Sequence, residues 1–276
     1  MVEVMTNEMY GGEEKKKALT FKFIKWEHKD GQARLTLNRP PHNVLNAEML
    51  SEIAIAFESL SNHPEIKVIV MLASSESKSF CGGVDLPEYT QERVFQMLDA
   101  FRRVYVASVE IGKPLVIGVG GAALGGGCEL AVFGDIVIAT PDAKFGQPEL
   151  KVLGMFPPFA TSLFPQLIGP KRAMELILTG NVVTAEEAVK MGLVSRLVPP
   201  EQLAPTIDQL ATQLAQSSAP VMAITKRALY EGLGMNMMES LAHAHNLFLN
   251  ELYKLDDAQE GLRALAEKRK PEWKNK

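Results

Sequence analysis

The sequence predicts an α/β protein with a largely parallel sheet, followed by a helical C-terminal region. Three observations support this prediction. Short β-type apolar runs alternate with segments of helical spacing over most of the first 200 residues, which favours a parallel sheet covered by helices. A glycine-rich segment in the middle of the chain separates a buried strand from a short helix. Beyond residue 200, nearly all of the 276-residue chain has helical spacing.

The first elements are bounded by clear turn signals. Two short strands are predicted at residues 21–27 and 33–38, with Lys29-Asp-Gly31 as their turn. Pro40 and Pro41 end the second strand because proline cannot donate to a strand ladder. The next predicted elements are a helix at 47–60, a strand at 68–72, a Ser/Gly-rich loop at 73–83, a helix at 91–111 and a strand at 115–119.

The second half of the chain begins with a short predicted helix at 126–134, and helices are predicted more often than strands after it. Strands are predicted at 136–139, 143–145 and 194–198, and helices at 161–168, 171–179, 185–191, 201–216, 221–232, 237–253 and 257–269. We therefore divide the chain into a tail at 1–17, a core at 18–200 and a helical region at 201–276. Leu241, Phe248 and Leu252 belong to an apolar stripe in the helical region, which fits either a core or a contact with a partner subunit.

Composition narrows the function classes. The net charge of −4 provides no basic field for nucleic acid or anionic lipid, and no apolar run reaches the length of about 18 residues that a membrane span needs. Residues 1–17 are polar, without the apolar region of a signal peptide, so we expect a cytoplasmic protein. Cys81 and Cys128 are expected to be reduced thiols, and the five histidines show no metal-ligand spacing.

The glycines at 125–127 are the first functional candidates. If interior to a helix, each costs about 0.8–1 kcal/mol of helix propensity relative to alanine. A helix start whose bare amides approach a ligand oxygen explains this cost better than tight packing does. Glycines at 118, 120 and 121 imitate a dinucleotide fingerprint, but Ile138 stands where that motif requires an acid, which disfavours NAD binding.

Two acidic residues follow the glycines. Glu129 lies one turn into an otherwise apolar helix, and Glu149 follows Gly-Gln-Pro, at the cleft end of a strand. Two acids in one low-dielectric pocket do not both ionise easily, so one would have a raised pKa and act as an acid. A second glycine turn, at Gly82-Gly83, offers the N–H of Val84. Amide donors beside two carboxylates suit a carbonyl whose oxygen becomes negative while protons move nearby.

Taken together, these motifs resemble the enoyl-CoA hydratase/isomerase family, the crotonase superfamily. The similarity runs from about residue 18 to residue 273. It is carried by Leu37-Asn-Arg-Pro40, Asn43-Val-Leu45, Phe80-Cys-Gly-Gly-Val-Asp85, Ala123-Leu-Gly-Gly-Gly-Cys-Glu-Leu-Ala131, Phe145-Gly-Gln-Pro-Glu149 and Glu267-Lys-Arg269.

The resemblance implies a crotonase-like spiral of repeated strand-strand-helix units, a helical C-terminal region that trimerises, and a homotrimer or hexamer. It implies an oxyanion hole from the amides of Val84 and Gly126, and two catalytic glutamates at Glu129 and Glu149. In this assignment Glu129 takes a proton from water and Glu149 delivers one to carbon, although coupled acids leave this division open. The substrate would be an acyl-CoA thioester, with no metal and no other cofactor. Further implied substrate-binding residues are Gly83, Asp85, Gly125 and Lys268, of which Lys268 also fits plain solvation.

A narrower resemblance is to cyclohexa-1,5-diene-1-carbonyl-CoA hydratases of anaerobic aromatic degradation. It rests on residues 146–158, on 84–89 and on 257–269. Met155, Phe156 and Phe159 would line a pocket for a ring, or else belong to the core. Pro158 would also lie there, where typical hydratases have a glycine N–H that helps hold the water. Prolines at 41 and 87 replace family lysines, which leaves the CoA phosphate contacts open.

Three functions follow from this sequence. Hydration of an enoyl-CoA is favoured because both glutamates are present. Isomerisation of an enoyl-CoA double bond, using Glu149 alone, is the alternative. A crotonase-fold protein that binds RNA without catalysis is disfavoured by the net charge of −4.

Overall fold

Two β-sheets form the framework of the computed structural model, which describes residues 20–61 and 63–276. The predicted tail at 1–17 lies outside the described residues. The strands are β1 (Ile24–Lys29), β2 (Gln32–Leu37), β3 (Val68–Ala73), β4 (Ser79–Cys81), β5 (Leu115–Val119), β6 (Ala122–Leu124), β7 (Ile136–Ala139), β8 (Lys144–Gly146), β9 (Val182–Thr184) and β10 (Arg196–Leu197).

Helices connect and cover these strands and make up most of the C-terminal third. They are α1 (Ala47–Ser61), α2 (Val94–Glu110), α3 (Gly126–Ala131), α4 (Glu149–Leu153), α5 (Pro158–Ile168), α6 (Pro170–Thr179), α7 (Ala185–Met191), α8 (Leu203–Ala215), α9 (Ala219–Gly232), α10 (Met237–Asn250) and α11 (Asp256–Glu267). The predicted α/β class is confirmed. No helix among residues 20–61 and 63–276 combines the length and apolar character that crossing a bilayer requires.

The chain distributes successive strands between the two sheets. The large sheet has the order β1-β2-β3-β5-β7-β10 and is parallel except for the β1–β2 pair. The small sheet has the order β4-β6-β8-β9, with β4, β6 and β8 parallel. Each of the pairs β3–β4, β5–β6 and β7–β8 therefore places its first strand in the large sheet and its second in the small one. This repetition produces a spiral, because each turn adds one strand to each sheet.

Several predicted boundaries are wrong. The predicted loop at 73–83 contains β4, and β6 and β9 were not predicted. Each of these strands has three residues, too few to show alternation in the sequence. Helix α5 begins at Pro158 rather than at residue 161, since proline is well tolerated in the first turn of a helix. The last strand is Arg196–Leu197, shorter than the predicted 194–198.

The two faces of the large sheet pack against different parts of the chain. Helices α1 and α2 belong to the main apolar core, with the buried Leu35 and Leu37 of β2. On the other face, Ile207 and Ala211 of α8 pack against Val68, Val70, Val116 and Ile138. A Cβ on Gly118 would lie 2.3 Å from the Ile207 side chain, so this glycine allows the close approach of α8. Tight packing thus accounts for the first glycine of the dinucleotide-like motif. The domain boundary near residue 200 stays a prediction.

An ion pair between a buried lysine and a half-buried aspartate connects α9 to the core. Lys226, 6% exposed, donates to Asp135 Oδ2 at 2.7 Å and to the carbonyl oxygens of Ser108 and Lys113. The Tyr230 hydroxyl donates to Asp135 Oδ1 at 2.9 Å. The Asp135 carboxylate is thus bonded through both oxygens to α9, which begins the last three helices.

Replacing Lys226 with methionine is expected to lower the free energy of unfolding by about 3 kcal/mol, because it leaves the half-buried Asp135 charge without its counter-ion and the carbonyl oxygens of Ser108 and Lys113 without their donor. Denaturant unfolding at fixed protein concentration measures this. Arg102→Met is the control: it breaks the exposed pair with Asp99 and should change stability by less than about 1 kcal/mol. Equal effects of the two variants would contradict the anchoring role.

Candidate active site

The predicted glycines and acids meet at the ends of three adjacent strands. Strands β4, β6 and β8 lie side by side in the small sheet and run in the same direction. Val84 comes three residues after the end of β4, Gly125 directly follows β6, and Glu149 comes three residues after β8. Because the carboxyl ends of parallel strands lie at the same edge, residues distant in sequence become neighbours. Ligand sites in parallel sheets commonly form at such an edge.

A cavity of about 350 Å³ opens at this edge. Both predicted glutamates line it. The lining residues are Val84, Tyr89, Val94, Met97, Leu98, Phe101, Glu129, Glu149, Gly154, Met155, Phe156, Pro158 and Phe159.

Two backbone amides lie close together beside the cavity. A Cβ built on Gly126 would lie 3.6 Å from the Val84 nitrogen, and one on Gly83 would lie 3.9 Å from the Gly126 nitrogen. Gly126 is the first residue of α3, so its N–H has no partner within that helix. In the bridge between Leu45 and Val84, the hydrogen bonds use the Gly83 carbonyl and the Asp85 N–H, and the Val84 N–H takes no part. The structure thus brings the two predicted amide donors together.

Gly125 adopts a backbone conformation that only glycine adopts easily. Its φ is 53° and its ψ is −129°, immediately before α3. A Cβ at this position would lie 2.1 Å from Glu149 Oε1. The Glu149 carboxylate therefore packs directly against the glycine segment, and any side chain at position 125 would displace it.

Glu129 projects from the first turn of α3 into an apolar environment. It is 3% exposed, and its Oε1 accepts a hydrogen bond of 2.7 Å from the Ala160 N–H at the start of α5. Burial raises the pKa of Glu129 to about 8; the Ala160 bond opposes this shift and the nearby Glu149 charge adds to it. At neutral pH this carboxyl is mainly protonated.

Glu149 is the freer of the two acids. Strand β8 ends at Gly146, so Glu149 begins α4 instead of ending the strand as predicted. It is 7% exposed, and its buried Oε2 has no hydrogen-bond partner in residues 20–61 and 63–276. Burial raises the pKa of this carboxyl, while its own backbone N–H and that of Gly126 act in the opposite direction. A buried carboxyl with one free oxygen is typical of a proton-transfer group.

Replacing Glu129 with glutamine is expected to stabilise the protein at pH 8 more than at pH 5. The folded-state pKa of about 8 exceeds the ordinary value of 4.5. Between these pH values only the folded protein keeps the proton, so the wild type loses up to about 1.4 kcal/mol of stability from this group per pH unit as pH rises. Glutamine does not titrate and removes this loss. Urea unfolding at both pH values measures the difference, and identical pH profiles would contradict it.

The predicted acyl-pocket residues line the cavity but differ in burial. Met155 and Phe156 are 46% and 64% exposed, which contradicts the alternative that they belong to the core. Phe159 is half-buried and packs on Phe101, with ring centroids 4.7 Å apart. Pro158 begins α5 at the cavity and provides no N–H. The aromatic pair forms an apolar wall of the cavity. Among the cavity-lining residues, the two glutamates are the only charged side chains.

Two further predicted residues lie outside the cavity lining. The Asp85 carboxylate pairs with Arg39 at 2.7 Å, and Arg39 also donates to the Val44 carbonyl, so Asp85 holds the turn that contains Val84. Lys268 is exposed at the end of α11. Substrate contacts of Asp85 and Lys268 stay predictions. In the described part of the chain, no group of three or more His, Cys, Asp or Glu side chains is arranged to hold a metal ion.

The sequence reasoning missed Tyr89 and the wall formed by α2. Tyr89 ends a short 3-10 turn, Leu86–Tyr89, and lines the cavity. Val94, Met97, Leu98 and Phe101 of α2 line it as well. The sequence contains one signal for Tyr89: it is an aromatic residue five positions after Val84, in the turn that follows Gly82-Gly83.

Comparison with known proteins identifies relatives along almost the whole chain. A sequence model of the family "Enoyl-CoA hydratase/isomerase" matches residues 27–276. A probable enoyl-CoA hydratase of Mycobacterium leprae is 38% identical over 250 residues, covering 88% of this chain and 96% of the relative. A crotonyl-CoA hydratase of Syntrophomonas wolfei is 33% identical over 259 residues, covering 91% and 98%.

Solved structures show the same fold. The crystal structure of an enoyl-CoA hydratase from Bacillus anthracis superposes with a TM-score of 0.86 at 28% identity, covering 92% of this chain and 100% of the other. That of an enoyl-CoA hydratase from Mycobacterium smegmatis has a TM-score of 0.85 at 29% identity, covering 91% and 99%. The crotonase-like spiral predicted from the sequence is thereby confirmed.

Proposed function

Because the chain belongs to the enoyl-CoA hydratase/isomerase family and is an enzyme of that family, we propose that it adds water to the α,β-double bond of an acyl-CoA thioester. The observation that carries this proposal is the pair of buried carboxyls, Glu129 and Glu149, on one cavity beside the neighbouring amides of Val84 and Gly126. Addition of water needs one group to accept a proton and another to supply one, and the cavity offers both.

The amides of Val84 and Gly126 would bind the thioester oxygen. When the water oxygen bonds to Cβ of the substrate, the π electrons of the double bond shift toward the thioester oxygen, and an enolate forms. Backbone donors that point at the position of the developing negative charge stabilise it without reorganisation; losing one such donor typically costs about 3 kcal/mol. The positive φ of Gly83, 109°, and the conformation of Gly125 hold the two amides in place.

The two glutamates would act as one unit that holds a single proton. The ionised member takes the proton released by water, and the protonated member delivers a proton to Cα, which collapses the enolate. Burial raises the pKa of both groups, and the charge of Glu149 adds to the shift at Glu129, which supports one proton shared by the pair. We assign the roles to the pair rather than to each residue.

We further propose that the acyl group is a ring of the cyclohexadiene type. The cavity of about 350 Å³ is near the lower end of the range of about 300–1,000 Å³ for small-molecule sites, so it fits a short or cyclic acyl group. The half-buried Phe159, which packs on the buried Phe101, offers a flat apolar face on which an unsaturated ring can stack.

Product analysis tests both levels of the proposal. The enzyme is incubated with crotonyl-CoA, with cyclohexa-1,5-diene-1-carbonyl-CoA and with a 3-enoyl-CoA, and products are identified by mass. We expect both conjugated substrates to gain one water, with higher kcat/KM for the ring. Isomerisation of the 3-enoyl-CoA without hydration of either conjugated substrate would overturn the proposed function. Faster turnover of crotonyl-CoA would overturn the ring proposal alone.

The remaining expectations accompany this proposal. We propose that the reaction uses no cofactor beyond the CoA of its substrate, and that the enzyme is a cytoplasmic homotrimer or hexamer. Exposed apolar residues on α9, directly after it and on α10 support contact with a second copy, among them Leu229, Leu233, Met237, Met238 and Phe248.

A further inference from the structure

Tyr89 differs from every other residue that lines the cavity. Of the cavity-lining residues in the described ranges, only Glu129, Glu149 and Tyr89 carry a polar side chain. The mechanism above uses both glutamates and leaves the tyrosine hydroxyl without a task. A polar group on an otherwise apolar wall needs either a partner in the protein or one in the ligand.

The protein does not supply that partner. Within residues 20–61 and 63–276, the half-buried Tyr89 hydroxyl has no hydrogen bond to a protein group, whereas the hydroxyl of Tyr230 is bonded to Asp135. Burial raises the pKa of Tyr89 to about 12, and the charges of Glu149 and Glu129 contribute in that order. The hydroxyl therefore stays protonated at neutral pH and remains a hydrogen-bond donor close to both acids.

The position of Tyr89 is fixed by its turn. At the start of the turn, Asp85 pairs with Arg39 at 2.7 Å. Within the turn, the buried Glu88 accepts a hydrogen bond from the N–H of Ala47, the first residue of α1. The turn that carries Tyr89 is thus tied on both sides, and it follows directly from the Val84 amide.

The backbone of α5 does not compete for this task. Pro158, at the cavity, has no N–H, and the N–H groups of Phe159 and Ala160 are both directed at Glu129. Apart from the two acids themselves, the Tyr89 hydroxyl is therefore the one cavity-lining side chain that can donate a hydrogen bond to an oxygen atom between the carboxyls.

We propose that the Tyr89 hydroxyl donates a hydrogen bond to the oxygen atom that is added to Cβ, and so positions the attacking water between Glu129 and Glu149. This inference rests on the proposed hydratase function. The bond is made to water before addition and to the product hydroxyl after it. No covalent bond to Tyr89 forms, and its proton stays on the tyrosine.

Tyr89→Phe tests the proposal, with Tyr105→Phe as the matched control. Tyr105 is also half-buried, lies on α2 and packs against Phe133, but does not line the cavity. For Tyr89→Phe we expect kcat for hydration to fall about 10- to 100-fold with KM changed less than about 2-fold, since the lost bond is to water and not to the acyl group. Tyr105→Phe should retain wild-type kcat.

A second measurement separates water positioning from a general loss of structure. Exchange of the Cα proton of butyryl-CoA with D₂O, followed by NMR, uses the amides and carboxyls but adds no water. Tyr89→Phe should keep the exchange rate of the wild type. Unchanged hydration by Tyr89→Phe, or equal loss of hydration and exchange, would overturn the role of Tyr89 alone. Absence of hydration in the wild type would overturn the proposed function itself.

Discussion

Replacing Glu149 with glutamine is expected to reduce kcat for hydration by about 10³-fold, within the range of about 10²–10⁴ for loss of one acid–base group. The substitution keeps the shape of the side chain but abolishes its ability to exchange a proton. Because Oε2 of Glu149 has no partner in the described part of the chain, no side chain hydrogen-bonded to it can take over the transfer. Initial rates with crotonyl-CoA and with the cyclic dienoyl-CoA measure the effect.

The matched control for this variant is Glu48→Gln. Glu48 also lies in the first turn of a helix, α1, but away from the cavity. The Glu48→Gln variant therefore loses the same charge near the same end of a helix dipole, and we expect it to keep the wild-type rate of hydration. Full activity of Glu149→Gln would remove this residue from the mechanism. Glu129→Gln, assayed in parallel, should show a loss of similar size if the two carboxyls act as a unit.

Replacing Gly125 with alanine is expected to lower kcat/KM by more than about 100-fold, the scale seen when reacting groups shift by about an ångström. The new Cβ would collide with Glu149 Oε1, 2.1 Å away, and alanine would also be strained at φ 53° and ψ −129°. The carboxylate, the amide of Gly126, or both must move. Steady-state kinetics and thermal unfolding are measured on the same preparation.

Gly169→Ala separates strain from collision. Gly169 also has a positive φ, 79°, but a Cβ there meets no atom within 4 Å. We expect this variant to lose a comparable amount of stability, about 1–3 kcal/mol, while keeping its activity. If the two variants lost activity equally, the contact between Gly125 and Glu149 would not be what maintains the site.

The catalytic candidates were predictable because their signal is local. Three glycines before Glu129 are costly in a helix, and an acid in an apolar segment needs a reason, so both features are visible within ten residues of sequence. Alternating strands and helices likewise predict the parallel sheet. The spiral itself came from the resemblance to a family, because β4, β6 and β9 are too short to show a period of two.

The walls of the cavity were harder to predict because they depend on packing between distant segments. Val94 and Phe101 show only the helical spacing of any core helix, and nothing in that spacing indicates which residues line a cavity. Tyr89 reaches the site only through the turn that Arg39 and Ala47 fix from other parts of the chain. The exposure of Phe156 also depends on where α4 ends, which the sequence pattern does not specify.

The side-by-side arrangement of β4, β6 and β8 separates reactivity from selectivity. The amides and Glu149 are attached to strand ends, which the sheet holds in register. The surfaces that would meet the acyl group come instead from α2 and from residues 154–159, two segments outside the sheets. Substitutions in those segments can reshape the pocket without disturbing the groups to which we assign the chemistry. A protein built in this way can acquire a new substrate through a few changes in these two segments. Descendants of one ancestor can then differ in their substrates while keeping one reaction.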